Sequence, residues 1–297
     1  MITRLDAGSA AVARGLSDLT IRNLFILPTI AFLIVFNIFP LIYSLGYSFY
    51  SYSASSNVEA LFLGLQNYRD LLSDPNVWNN FTVTAKYVIV SVGGQMIVGF
   101  GLALLLNRPI PFKGFITTLL LLPMMMSAAV IGLFWQLLYS PSWGVINYIF
   151  NLGDFAWLSN PNVALYAVAI TDIWMWSPFV MLLSLAGLSA VPKYLYEAAA
   201  IDRASAWYTL TRITFPLVSP LLLIALIFRT MEGFKTFDLA FIMSTQPTTE
   251  LIAIRLYKLA FQEWQTGESC ALAYIVLIMV LAITNIYVKY LNQAKAR

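Results

Sequence analysis

Six stretches of this chain are apolar for roughly the 20 residues that a helix needs to cross a bilayer, and that property dictates where the chain can fold. They cover residues 24–50, 82–106, 115–139, 163–191, 217–243 and 270–290. The first and third hold no charged residue, the second holds only Lys86 and the fourth only Asp172. Pro28, Pro40 and Gly46 predict a bend in the first. With 60% of residues hydrophobic and 10% charged, the chain cannot cover itself with an ordinary charged surface, so lipid is its solvent over much of its length. The first stretch is too long for a secretory signal and lacks a small-residue cleavage site. The expected fold class is therefore all-α, a polytopic membrane protein of about six transmembrane helices forming one domain over residues 1–297.

Composition also removes several kinds of function. The chain has no histidine, hence no histidine base or imidazole metal ligand, and its one cysteine, Cys270, sits inside an apolar run. No catalytic constellation or metal site is expected. The net charge of +3 is small and unevenly placed, which reads as membrane topology and not as a nucleic-acid footprint. Placing the N-terminus inside puts Arg4, Arg14, Arg22, Arg108, Lys113, Lys193, Arg203, Arg212, Lys289, Lys295 and Arg297 on the cytoplasmic side. Arg69, Arg255 and Lys258 then lie outside, with Lys86 near them, and an even number of spans returns the C-terminus to the cytoplasm. The outer loops, 51–81, 140–162 and 244–269, carry Trp78, Trp143, Trp157 and Trp264, expected as interface anchors.

Between the fourth and fifth stretches lies PKYLYEAAAIDRASAWYTLTRITFPLVSP, too long for a turn. Pro192 is placed like a first-turn proline, the alanines at 198, 199, 200, 204 and 206 favour helix, and Pro216 and Pro220 are expected to end one helix and begin another. Glu197 falls in the first turns, where the helix dipole favours a carboxylate. Small alanine faces with Tyr196 and Trp207 as aromatic anchors suit a helix that docks on another protein, while an amphipathic helix lying on the membrane fits the same residues.

Glu197, Ala198, Ala199, Asp202, Ala204, Trp207 and the Ile213-Thr214-Phe215-Pro216 ending resemble the EAA loop of binding-protein-dependent ABC permeases. Further stretches, LPTIAFLIVFNIFPLIYSL, LGLQNYRDLLSDPNVW, LLPMMMSAAVIGLFWQLLYSP and SPFVMLLSLAGLSAVPKYLYEAAAID, are similar to the sugar-transporting branch that includes the maltose and glycerol-phosphate permeases. The resemblance implies an ABC importer type I permease, with residues 192–216 as the coupling loop and Glu197, Ala198, Ala199, Asp202, Arg203 and Trp207 meeting a cytoplasmic ATPase. One departure is Arg203, which stands where the family usually has glycine, a residue suited to irregular or closely packed backbone. The implied partners are a second homologous permease in a heterodimer, two ATPase subunits and an extracytoplasmic solute-binding protein. The implied setting is a bacterial inner membrane. No G-x-x-x-x-G-K-[ST] loop occurs, so ATP and Mg are expected on the partner ATPases and no cofactor in this chain.

Polar residues at membrane depth point to what crosses, since each charge facing lipid costs roughly 2.5–3.5 kcal/mol. Arg229, Glu232, Lys235 and Asp238 recur every third residue and are expected along one side of the fifth helix. Asp172, Trp176 and Phe179 fall on one stripe of the fourth. Carboxylates for hydroxyls and rings for an apolar sugar face suit a saccharide, and maltose-type permeases take sugar contacts from the same two helices. The expected substrate-binding residues are Asp172, Trp176, Phe179, Glu232, Lys235, Thr236 and Asp238. Two other readings stay open: Arg229 with Glu232 as a buried pair that only fixes packing, and the two cations as receptors for an acidic or sulfonated sugar. A gradient-driven secondary transporter is the alternative class, although no matching halves with broken helices are visible.

Overall fold

The computed structural model describes residues 18–56, 59–243 and 246–295. Arg4, Arg14 and Arg297, on which the inward placement of both termini partly rests, lie outside the described residues. Helix α1 (Asp18–Leu33) passes through a wide turn (Ile34–Ile38) into α2 (Phe39–Tyr47), giving one apolar rod. The wide turn directly precedes Pro40, whose missing N–H a regular ladder could not accommodate. A short hairpin pairs β1 (Tyr50–Ser51) with β2 (Leu61–Phe62), and α3 (Gln66–Ser73) leads to α4 (Pro75–Leu106). The start of α4 is set by Asp74, whose carboxylate accepts from Asn76 N at 2.9 Å, with Pro75 in the first turn.

The third apolar stretch is not one rod, contrary to expectation. It forms α5 (Lys113–Met125) and α6 (Ala128–Leu138), which meet at a 98° bend. Met126 and Ser127 are extended there, so the helical ladder stops for two residues. Helix α7 (Val145–Phe150) lies in the next loop and α8 (Ala164–Ala190) is the fourth long helix. Then come α9 (Lys193–Ile201), α10 (Ala206–Thr209) and α11 (Phe215–Phe234), and after them α12 (Asp238–Met243), α13 (Ile252–Tyr257) and α14 (Thr266–Lys295). Five long apolar helices and the bent α5–α6 pair account for the six expected spans.

The fifth span also differs from its expected limits. It runs over Ala206–Phe234, not 217–243, because neither proline breaks it. A wide turn (Leu210–Thr214) precedes Pro216, with Phe215 N donating to Leu210 O, and Ser219 Oγ donates at 2.8 Å to Pro216 O, the carbonyl that Pro220 leaves without its usual N–H. The helix ends at Phe234, so Arg229 and Glu232 lie in α11, Lys235 caps it, and Asp238 opens α12. The four charges therefore do not share one continuous helix.

The centre of the protein is the packing of α4 on α8, the most extensive helix contact in the fold, with α11 across both. Gly94 and Gly99 permit it. A Cβ at Gly99 would lie 2.6 Å from both Ser177 O and Val180 Cβ, and one at Gly94 2.3 Å from Ile173 Cδ1. Tyr87, Val92, Val168, Met181, Val218 and Ala225 are buried around this contact. By contrast, the most apolar window of the Asn23–Tyr47 rod holds no buried residue, and the rod meets the rest of the chain mainly where α2 packs on α14 and the Tyr274 hydroxyl donates to Leu41 O. Trp143 is fully displayed as an interface anchor would be, but Trp157 is half-buried and donates at 2.7 Å to Asn147 Oδ1, which gives it a packing role in the outer loop.

Candidate functional site

Asp172 of α8 and Arg229 of α11 meet at 3.6 Å between the helices, each with a side chain only 3% exposed. Two residues of α4 complete the cluster. Gln95 Nε2 donates to Asp172 Oδ2 at 2.8 Å while its Oε1 accepts from Arg229 Nε at 2.8 Å, and the Ser91 hydroxyl donates to Asp172 Oδ2. The Arg229 guanidinium also lies 4.3 Å above the centre of the Trp176 ring. Both charges are thus kept from lipid and satisfied by protein, as a buried ion pair must be. Arg229 pairs with Asp172 and not with Glu232.

Glu232 instead takes Lys235 at 2.6 Å, and this pair is more than half exposed on both sides. The two pairs face one cavity of about 190 Å³, walled by Asp172, Trp176, Arg229, Glu232, Lys235, Thr236 and Asp238, with Phe237 and Leu239 beside them. Six of the seven expected substrate-binding residues are therefore brought together. Phe179 is not among them. It sits one turn further along α8 against Phe228, ring centres 6.5 Å apart, in the apolar packing below.

The loop between the fourth and fifth spans is built from two helices joined at an abrupt corner. Pro192 precedes α9 as its cap, one position before its expected place, and Glu197 and Ala198 are exposed while Ala199 is buried. The helix closes with Arg203 N donating to Ala200 O at 3.2 Å and Ala204 N to Ala199 O at 2.9 Å, a paired closure that requires a left-handed residue at Arg203. Arg203 has φ 52°. The family's usual glycine would meet this requirement without strain. Ser205 then caps α10, its hydroxyl accepting from Tyr208 N at 3.2 Å. Ile201 is 82% and Trp207 73% exposed, and Asp202 is exposed beside them. Tyr196 departs from its expected outward role: it is half-buried, and its hydroxyl lies 3.1 Å from Thr214 Oγ1 at the foot of the fifth span.

Residues 95–297 match the family of binding-protein-dependent transport system inner membrane components. The chain belongs to this family. Among its relatives, the trehalose/maltose transport system permease protein MalF of Thermococcus litoralis is 33% identical over 90% of this chain and 92% of its own length. The sulfoquinovosyl glycerol transport system permease protein SmoG of Agrobacterium fabrum is 31% identical over 93% and 92%. The fold is also that of a chain in the crystal structure of a bacterial ABC transporter involved in import of the acidic polysaccharide alginate, with TM-score 0.81 and 21% identity over 92% of this chain and 95% of that one. The protein is an inner-membrane permease subunit and not an enzyme.

Two members of the permease's buried cluster, Ser91 and Gln95, escaped the sequence reading. They sit one turn apart in the apolar part of α4 that follows Lys86, and uncharged polar residues there are a weak signal without knowledge of which face they occupy.

Proposed function

We propose that this permease forms half of the membrane channel of an ATP-driven importer for a saccharide, receiving solute from an extracytoplasmic binding protein. A second permease, two ATPase subunits carrying ATP and Mg, and cytoplasmic placement of both termini complete the reading. The observation that carries it is the cavity between α8, α11 and α12, where carboxylates able to accept from hydroxyls stand together with a tryptophan. Relatives named for trehalose/maltose and sulfoquinovosyl glycerol transport favour a sugar as the solute. In this reading Trp176, Glu232, Lys235, Thr236 and Asp238 contact solute, Asp172 holds Arg229 in place, and Phe179 packs behind them. Glu197, Ala198, Ala199, Asp202, Arg203 and Trp207 meet the ATPase, a role that fits the exposure of Glu197 and Trp207.

The test is co-purification from membranes in mild detergent, with ATPase activity assayed on wild type and Glu197→Lys, followed by uptake in sealed vesicles. An ATPase subunit should accompany the wild type, weaken on charge reversal, and drive uptake that persists when a protonophore collapses the membrane potential. Absence of any associated ATPase, with uptake abolished by the protonophore, would reverse the assignment in favour of a gradient-driven transporter.

A further inference from the structure

The relatives leave the charge of the solute undecided, because their names cover trehalose and maltose, which are uncharged, and sulfoquinovosyl glycerol and alginate, which are anionic. The cavity wall decides it differently from a count of charged residues. Two cations face the space, Arg229 and Lys235, and each is already engaged. Arg229 gives its Nε–H to Gln95, lies beside Asp172, and rests its guanidinium on Trp176. Lys235 gives its ammonium to Glu232 at 2.6 Å. Asp238 is the remainder. It is exposed on the same wall, and among the described residues no ion pair reaches it. Counting one charge for each of Asp172, Glu232, Asp238, Arg229 and Lys235, the wall carries three negative and two positive, a net charge of −1.

We infer that the solute is an uncharged saccharide and that Asp238 is the residue that turns anionic ones away. This rests on the saccharide reading above and sharpens it. A free carboxylate on the wall accepts hydrogen bonds from sugar hydroxyls at no cost in charge. A carboxylate or sulfonate on the solute would meet Asp238 as a like charge, with no unengaged cation to offset it. Because the site is partly wetted, the effective dielectric lies between that of water and of protein, and one like charge at about 4 Å is sufficient for roughly a fivefold or larger penalty in affinity. Lys235 could turn to such an anion only by releasing Glu232, and the wall would still carry its net charge of −1.

The inference is tested on the assembled transporter in nanodiscs, without the binding protein, so that the permease's own selectivity is read. Saturation-transfer NMR suits the weak binding expected, with trehalose and maltose as neutral probes and a glucuronic-acid disaccharide and sulfoquinovosyl glycerol as anionic ones. Wild type should bind the neutral probes at least fivefold more tightly. Asp238→Asn should raise the ratio of anion to trehalose affinity several-fold, even where the loss of a charged acceptor weakens trehalose itself, and Glu232→Gln, which frees Lys235, should raise the same ratio by a separate route, in both cases less at high salt. Anionic probes that bind wild type as tightly as neutral ones, with neither substitution altering the ratio, would overturn the charge inference and leave the saccharide reading standing. Binding of neither class, while the ATPase subunits remain attached, would sink both.

Discussion

Replacing Arg203 by glycine should tighten the corner between α9 and α10. An L-residue held in the left-handed region costs roughly 1–2 kcal/mol, and Arg203 is held there at φ 52° because the Ala200 and Ala199 carbonyls each need their donor. Glycine removes that cost but returns about 0.5–1 kcal/mol through the greater entropy of the open chain. The net gain is therefore about 0.5–1 kcal/mol, a two- to fivefold shift toward the closed corner. Amide hydrogen exchange in nanodiscs reads it directly at residues 203 and 204, whose N–H groups close the helix, once intrinsic rates are corrected. Arg203→Ala is the control, since alanine keeps the left-handed cost and loses only the guanidinium. Protection should rise two- to fivefold in the glycine variant and stay at or below wild type in the alanine variant. Equal protection in the two variants would refute backbone strain as the controlling quantity and leave the arginine side chain as the cause.

Arg229→Ala should be among the most destabilising changes in the chain, since it leaves Asp172 buried without a cation and Trp176 without its covering charge; a loss of about 3–5 kcal/mol is expected, read as a large fall in unfolding temperature in detergent. Arg229→Lys should recover only part of that, because an ammonium offers no planar fork to Gln95 and the indole together, and an unchanged midpoint for the alanine variant would remove the cluster from any account of packing. Gly99→Ala should cost about 1–3 kcal/mol by pushing α4 off the Ser177 carbonyl, whereas Gly101→Ala, with nothing within 4 Å, should stay within about 0.5 kcal/mol of wild type; the two unfolding midpoints compared side by side decide whether close helix approach is the reason.

The parts of the fold visible in the sequence are those that depend on composition summed over a window. Six apolar stretches, the helix carrying Glu197, and the stripe holding Asp172 and Trp176 all follow from solvent and period, which local residues specify. The corner at Met126 and Ser127 was hidden because an apolar window reads the same whether its helix is straight or folded on itself. Pro216 and Pro220 misled for the opposite reason: each signals a break in isolation, yet a wide turn and a serine hydroxyl restored the lost hydrogen bonds. Within the site, residue identities were legible and partners were not. The spacing of Arg229 and Glu232 suggested a local pair, but burial made Asp172 and Gln95 the better partners across three helices, and that choice belongs to tertiary packing.

The charges mark out two bodies of helices that meet at α8 and border the cavity. On one side, the Asp172, Arg229, Gln95 and Ser91 cluster fastens α4, α8 and α11 into a single unit, and breaking it would expose unpaired charge in a water-poor interior. The foot of that unit is held by Tyr196 to Thr214, so the α9 corner and Arg229, 15 residues further along, are joined by about 22 Å of helix. On the other side, α12 packs on α6 beyond the point where α11 stops at Phe234. Residues 235–237 carry the chain from one to the other, α12 and α6 also pack on α8, and the ion pair at that link, Glu232 with Lys235, is more than half exposed and so worth only about 0–1 kcal/mol. In the proposed importer, a displacement delivered to the α9 corner by an ATPase would reach Arg229 along α11 and then the 235–237 link. The cavity is walled by Arg229 and Trp176 from the first body and by Asp238 and Leu239 from the second, so the same displacement would change its width.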